Sequence, residues 1–330
     1  MMDAYVYTGT GHEIDQKAAW DYVRDGYLLS PRTILKGRKK LPQPVLPGIS
    51  VDSSQLSFIT QQTLEAAMGN VARSPRAVMF SGGFDSMLIA CLAKRCGAQV
   101  TAVTVQFDDF NPLTVAGAAQ FANKAGIPHH ILNVKAVEFL SAFETLAGIT
   151  DEPLLDLDLG VVYAALKKYD HGTAGDVFIS GMGSDQWFGN LALEARPGGF
   201  AARLDWSMVD EQAHQRVAGL LGCRFVFPFL SGTMLALSQS VPAVMKKDKK
   251  LLRTLAAANT IPHRGARSEV QILPLMRRAL IKKYGDRAWP CPVSLQGRHH
   301  SEMDRALRQI ILGLWLEKAQ GRIASIGQIR

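Results

Sequence analysis

No stretch of this 330-residue chain approaches 18 uninterrupted apolar residues. The opening MMDAYVYTGTGHEID is polar and acidic where a secretion leader is basic and then apolar. These two absences set the expectation of a soluble, cytoplasmic protein with no membrane partner. Cysteine is scarce, and Cys91, Cys96, Cys223 and Cys291 show neither CxxC nor His-paired spacing, which argues against a zinc site or a disulfide framework. Cys91 and Cys96 fall in a helix-compatible stretch and read as small core residues. There is no GxxxxGK[ST], so no P-loop lysine, and no GxGxxG with a trailing acid, so no dinucleotide fingerprint. Internal repeats and low-complexity tracts are absent. Acids number 29 against 37 basic residues, for a net charge of +8. An anionic partner such as RNA or an acyl carrier protein would suit that balance. The excess is diffuse, however, and phosphate binding with a basic stretch near 246–253 accounts for much of it, so nucleic acid is not the expected partner.

What is present is concentrated in RAVMFSGGFDS, residues 76–86. A short apolar run of the kind that makes a buried strand leads into Ser81, Gly82, Gly83, Asp85 and Ser86, and the helix-compatible SMLIACLAKRC follows. A strand, glycine loop and helix in that order make a phosphate site. The glycines let backbone N–H groups approach an anion, and the helix start supplies unpaired N–H groups and the positive end of its dipole.

Around this unit the pattern alternates. The chain predicts a helix near 55–71, a strand at 77–80, a helix at 86–96, a strand at 99–106, a helix at 113–125, a strand at 130–134 and a helix at 136–146. After a loop at 151–158 come a helix at 159–169 and a strand at 176–180. Strands separated by helices of this length pair in parallel through right-handed crossovers, giving a doubly wound α/β sheet with ligands beyond the strands' carboxyl ends. Beyond about residue 190 the chain reads as helical at 201–221, 235–241, 249–258, 273–283 and 302–319, expected to pack on one side of the sheet.

A second strand-to-loop switch, VFISGMGSDQWFGN at 177–190, carries Gly181 and Gly183 before Asp185. A carboxylate there could face Asp85 across Mg²⁺, an ion that takes only one or two protein carboxylates when phosphates supply the rest. The other reading of Asp185 is a cap on a helix beginning at Gln186.

SGGFDS resembles the pyrophosphate loop of the N-type ATP pyrophosphatases, whose fold is of the adenine nucleotide alpha-hydrolase type. The resemblance implies that Ser81, Gly82, Gly83 and Ser86 cradle pyrophosphate and that Asp85 binds Mg²⁺. The series SGGFDS, DEPLLDLD, SGMGSDQWFGN, PFL, KKLLR and IPHRGAR, in that order, further resembles the synthetase domain of asparagine synthetases and their relatives, the β-lactam and carbapenam synthetases and lasso-peptide cyclases. Residues 1–50 look like the tail of the glutaminase domain that precedes the synthetase there, and 51–330 like the synthetase itself, helical from about 190. The glutaminase nucleophile is an N-terminal cysteine, whereas this sequence opens on Met1, Met2 and Asp3, so release of ammonia from glutamine is not expected.

The resemblance implies ATP and Mg²⁺ as cofactors and an AMP-forming amide ligase acting on carboxylate and amine substrates. It places Val103 to Gln106 near the adenine, with Gly181 and Gly183 near the nucleotide or acyl group. Lys249 would meet phosphate oxygens, or Lys250 with a shift of one residue. Arg253 would contact phosphate or a substrate carboxylate, or else lie on a helix surface. Three departures stand out. Met182 and Gln186 replace the acids of the family's SGEGSDE, and Glu269 replaces a lysine, leaving Arg264, Arg267 or Lys250 to stand in for it. The partners expected are small-molecule or peptide substrates, with a carrier protein or a separate partner enzyme as amine source. His129, His130, His299 and His300 have no ligand spacing and read as ordinary strand and loop residues. Leu307, Ile311, Leu314 and Trp315 mark a packed helix or a homodimer face.

Overall fold

A computed structural model describes residues 5–9, 13–26, 28–42, 47–69, 76–108, 112–153, 156–169, 177–189, 199–261, 269–287 and 302–327. Arg264, Arg267, His299, His300 and Cys291 lie outside the described residues, as does the side chain of Glu269. No helix among the described residues is long and apolar enough to cross a membrane.

Five parallel strands form the central sheet: β3 (Arg76–Met79), β4 (Val100–Phe107), β5 (His129–Val134), β6 (Val177–Ile179) and β7 (Arg224–Val226), in the order β5-β4-β3-β6-β7. A two-stranded antiparallel ribbon, β1 (Tyr5–Thr8) with β2 (Lys39–Pro42), lies apart from it. The crossovers after β3 and β4 run through α3 (Phe84–Arg95) and α4 (Pro112–Lys124) and step outward toward β5. After β5 the chain turns back through α5 (Ala136–Ala147) and α6 (Asp158–Leu166) to place β6 on the other side of β3, pairing Val78 with Ile179. Right-handed crossovers in opposite directions put these helix pairs on opposite faces and open a switch point between β3 and β6. Both glycine loops leave the sheet there.

Each face carries a core. One gathers Leu64, Leu88, Ile89, Phe178, Leu252 and Leu255, the other Val23, Phe139, Phe143, Leu146, Leu312 and Trp315. This corrects the expectation that the later helices cover one side. α9 (Gly232–Ser240) and, after the short α10 (Ala243–Lys246), α11 (Lys250–Ala258) pack on α2 (Leu56–Gly69), whereas α12 (Glu269–Tyr284) and α13 (Glu302–Gly327) pack on α5. An open parallel sheet is apolar on both faces, and each has to be covered. On α13, Leu307, Ile311, Leu314 and Trp315 are all buried within the chain's own second core, which decides for the packed helix over the dimer face. The N-terminal α1 (Gln16–Asp25) joins the same core. It is capped by Asp15, whose carboxylate accepts from the Ala18 N–H at 3.0 Å, and closed by Gly26 at φ 88°.

The long helix α8 (Gly199–Leu220) descends to β7 and carries a buried charge pair, His214 with Asp210 at 3.3 Å, beside the rings of Phe225 and Phe227. Burial alone would lower the His214 pKa, but the Asp210 charge and hydrogen bond outweigh it and push it up to about 9. Because the folded value lies above the ordinary one, the pair's stabilisation is complete below about pH 6.5 and is lost as pH rises through about 9. Chemical denaturation is expected to show stability falling by roughly 2 kcal/mol from pH 7 to 9.5, a slope that His214→Gln flattens.

Candidate active site

The first loop is tighter than its sequence suggests. The helix after β3 begins at Phe84, two residues earlier than expected, because Gly82 turns the chain at φ 73°, where a Cβ would be strained. The Ser86 hydroxyl donates to the Gly83 carbonyl at 2.9 Å and lies 3.3 Å from the Ser81 hydroxyl, which accepts from the Gly83 N–H at 3.2 Å. The loop is thus held by its own hydrogen bonds. Asp85 and Ser86 sit in the first turn of the 12-residue α3, where unpaired N–H groups and the dipole favour an anion.

The second loop closes onto the first. A Cβ on Gly181 would come within 3.1 Å of the Asp85 carbonyl carbon and 3.2 Å of the Ser86 nitrogen, so a larger residue would push the two corners apart by a few tenths of an ångström. Gly183, at φ 95°, lies against Leu230 of the Pro228–Leu230 turn and is the N-cap of the short α7 (Ser184–Phe188). That helix begins at Ser184, so Asp185 is inside its first turn and does not cap a helix from Gln186.

Between the two carboxylates stands Lys249. Its Nζ donates to Asp85 Oδ2 at 2.5 Å, lies 2.8 Å from Asp185 Oδ1, and donates to the Ser184 hydroxyl at 3.3 Å. The aliphatic stem runs over Gly189, where a Cβ would meet it at 2.7 Å. Lys249 enters from a backbone in which both it, at φ 55°, and Asp248, at φ 53°, are left-handed. Two such non-glycine residues in succession cost about 1–2 kcal/mol each, so the surrounding contacts hold the lysine in place.

Electrostatics at Asp85 are governed first by burial, which pushes its pKa up; the Lys249 ammonium opposes this and Asp185 adds to it. Asp85 Oδ1 is buried without a hydrogen-bond partner. Two carboxylates spanned by an ammonium, one with an unused buried oxygen, fit a Mg²⁺ ion that would take the lysine's place as their counter-charge. Among the described residues no group of three or more His, Cys, Asp or Glu side chains is placed to hold a metal ion.

The Asn_synthase family, described as asparagine synthase, matches residues 60–224, half of the chain. The chain belongs to the asparagine synthase family. It is 27% identical over 224 residues to a putative glutamine-hydrolysing asparagine synthetase of Mycobacterium bovis, covering 60% of this chain and 34% of that protein. It is also 28% identical over 129 residues to a tRNA-specific 2-thiouridylase of Desulforudis audaxviator, covering 37% of this chain and 35% of the relative. The chain thus spans about a third of the length of these curated relatives. Among solved structures, an NMN synthetase from Francisella tularensis overlaps 76% of this chain and 100% of its own, at 12% identity and a TM-score of 0.34.

The structure brings together Ser81, Gly82, Gly83, Asp85, Ser86, Gly181, Gly183, Asp185 and Lys249. Lys250, the first residue of α11, is exposed and outside the pairings that Lys249 makes. Arg253 is exposed too; its Nε donates to the Asp248 carbonyl at 2.7 Å and its guanidinium lies 5.5 Å over the Phe84 ring, so it braces the left-handed turn. Val103 has its side chain fully buried in the first core, and its carbonyl accepts from Phe80 N–H at 2.7 Å. Gln106 is half-buried further along β4. Met182 packs against the first core. Sequence reading placed Ser184 in the second glycine loop without a contact of its own, and gave no role to Gly189 or Asp248. Gly189 and Ser184 lay within the quoted SGMGSDQWFGN, but the left-handed Asp248 sits in a lysine-rich run that looks like a solvated surface.

Proposed function

We propose that the chain is an AMP-forming carbon–nitrogen ligase. ATP would adenylate a substrate carboxylate with loss of pyrophosphate, and an amine would then attack the acyl-AMP to form an amide. The observation that carries this reading is the meeting of Asp85 and Asp185 around Lys249 at the switch point, next to the start of α3. A carboxylate resists amines until its oxygen becomes a good leaving group, and a site that stabilises departing pyrophosphate supplies that. Bound Mg²⁺, held by Asp85 and Asp185, would neutralise phosphate charge. Ser81, Gly82, Gly83 and Ser86 would cradle the leaving group, and Lys249, released from the carboxylates, would meet phosphate oxygens.

With Met182 in place of an acid, the amine would be selected differently than in asparagine synthesis. This favours an amide or ring closure on a specialised metabolite or peptide, independent of glutamine, with the amine drawn from ammonia, an amino compound or a partner protein. ATP–pyrophosphate exchange across a panel of carboxylates tests the reading: exchange stimulated by one class of carboxylate, without glutamine, is the expected outcome. A second reading, an RNA-modifying enzyme on the same fold, draws on the net charge of +8 and the thiouridylase match. ATP cleavage that depends on added tRNA would select it. Binding of ATP with no turnover in either assay would point instead to a nucleotide-binding partner subunit.

A further inference from the structure

The Lys249 ammonium and a divalent ion would compete for the same two oxygens. Nζ lies 2.5 Å from Asp85 Oδ2, 2.8 Å from Asp185 Oδ1 and 3.3 Å from the Ser184 hydroxyl. Mg²⁺ needs carboxylate oxygens at about 2.0–2.1 Å. An ion on that pair of oxygens would be crowded against the ammonium that spans them, like charge against like charge.

Little room is left for the ammonium to step aside. The lysine side chain is 14% exposed, and its stem runs where a Cβ on Gly189 would meet it at 2.7 Å. Its backbone is committed as well, in the left-handed pair with Asp248. Arg253 holds that turn, donating from Nε to the Asp248 carbonyl at 2.7 Å while its guanidinium lies 5.5 Å over the ring of Phe84, a residue of the first glycine loop. An ammonium driven off both carboxylates therefore needs another anion within its short reach. The start of α3 favours an anion, and Asp85 lies in its first turn. A phosphate there would offer the ammonium new oxygens and free the carboxylates for the metal.

We propose that Lys249 keeps the metal site closed in the empty protein and exchanges its ammonium from Asp85 and Asp185 to the phosphates of an arriving nucleotide, so that the two carboxylates take a divalent ion only together with a polyphosphate. Metal and nucleotide then bind cooperatively, because each removes the obstacle to the other. The inference rests on the ligase reading only for where it places the triphosphate, and it needs no turnover.

The test is a pair of titrations on the full chain. Mn²⁺, standing in for Mg²⁺, is added to nucleotide-free protein with the free ion counted by electron paramagnetic resonance, and ATP is added in EDTA and followed by calorimetry. Lys249→Met, an unbranched side chain without the charge, is expected to bind Mn²⁺ alone at least about tenfold more tightly than the unaltered protein. The same variant should bind metal-free ATP at least about tenfold more weakly. A merely structural role would not shift the two affinities in opposite directions, and Tm on the same samples checks folding. Adding Asp85→Asn to Lys249→Met should abolish the gained Mn²⁺ binding. The exchange is overturned by a Lys249→Met protein that gains no Mn²⁺ affinity, by a gain that survives the loss of Asp85, or by equal affinity of both proteins for metal-free ATP. Should Lys249→Met not fold, the unaltered protein decides: a Tm raised by ATP in EDTA but not by millimolar Mn²⁺ alone supports the exchange, and any other pattern overturns it. Failure here with carboxylate-stimulated ATP–pyrophosphate exchange intact strikes the lysine's gating and leaves the ligase reading. Both titrations as expected with no AMP formed strike the ligase reading alone.

Discussion

Asp85→Asn and Asp185→Asn are each expected to lower AMP release from ATP by about 10³-fold, equivalent to about 4 kcal/mol of lost stabilisation of the departing pyrophosphate. The size follows from the geometry. Both carboxylates face one small volume now held by the Lys249 ammonium, and on the proposed reading the loss of either would leave the divalent ion with a single protein ligand. Folding should survive. Asp85 is held at an elevated pKa chiefly by burial, so an uncharged amide there relieves a desolvation cost even as it weakens the pairing with Lys249. Product quantification with Tm measured on the same samples separates the two effects. Unchanged turnover in either variant removes that residue from the metal site.

The largest expected effect on stability lies elsewhere. Lys40 on β2 and Glu152 in the loop before α6 form an ion pair at 2.9 Å with side chains only 1% and 8% exposed. Burial raises the Glu152 pKa and Lys40 opposes it, so the carboxylate depends on that ammonium to stay ionised. Lys40→Met removes the ammonium that opposes burial at the Glu152 carboxylate and is expected to cost about 3–5 kcal/mol. The double replacement Lys40→Met with Glu152→Leu should recover most of the loss, because an apolar pair of similar volume carries no desolvation penalty. Denaturant titration of the two proteins reads this directly. A Lys40→Met protein of unchanged stability would mean that β2 does not anchor the N-terminal segment to the synthase domain. Arg38 with Asp151, and Ser30 with Asp205, make the same junction through separate contacts.

The α/β alternation and both glycine loops were legible in the sequence because strands of apolar residues between helices leave a strong periodic signal, and because glycines before an acid have few other uses. β7 was not legible. Three residues, Arg224, Phe225 and Val226, are too few for a period to register. The division of the later helices between two faces was also hidden, since each helix shows an apolar stripe but not which core receives it. Within the site, the choice between Lys249 and Lys250 turned on one backbone feature. The left-handed pair Asp248 and Lys249 rotates the first lysine into the cleft and leaves the second in solvent. Nothing in KKDKK announces that turn, because neither aspartate nor lysine requires it. Asp185 was ambiguous for a similar reason, and the start of α7 at Ser184 settled its position within the helix.

The central claim is that the corners at the ends of β3 and β6 grip a magnesium-bearing triphosphate so that it opens between the α and β phosphorus atoms. Phosphorus NMR of Mg·ATP turned over by the protein with a pool of carboxylates and ammonium tests it most directly. AMP and pyrophosphate, formed in equal amounts and lost together in Asp85→Asn, are the expected products. ADP and orthophosphate would contradict the account.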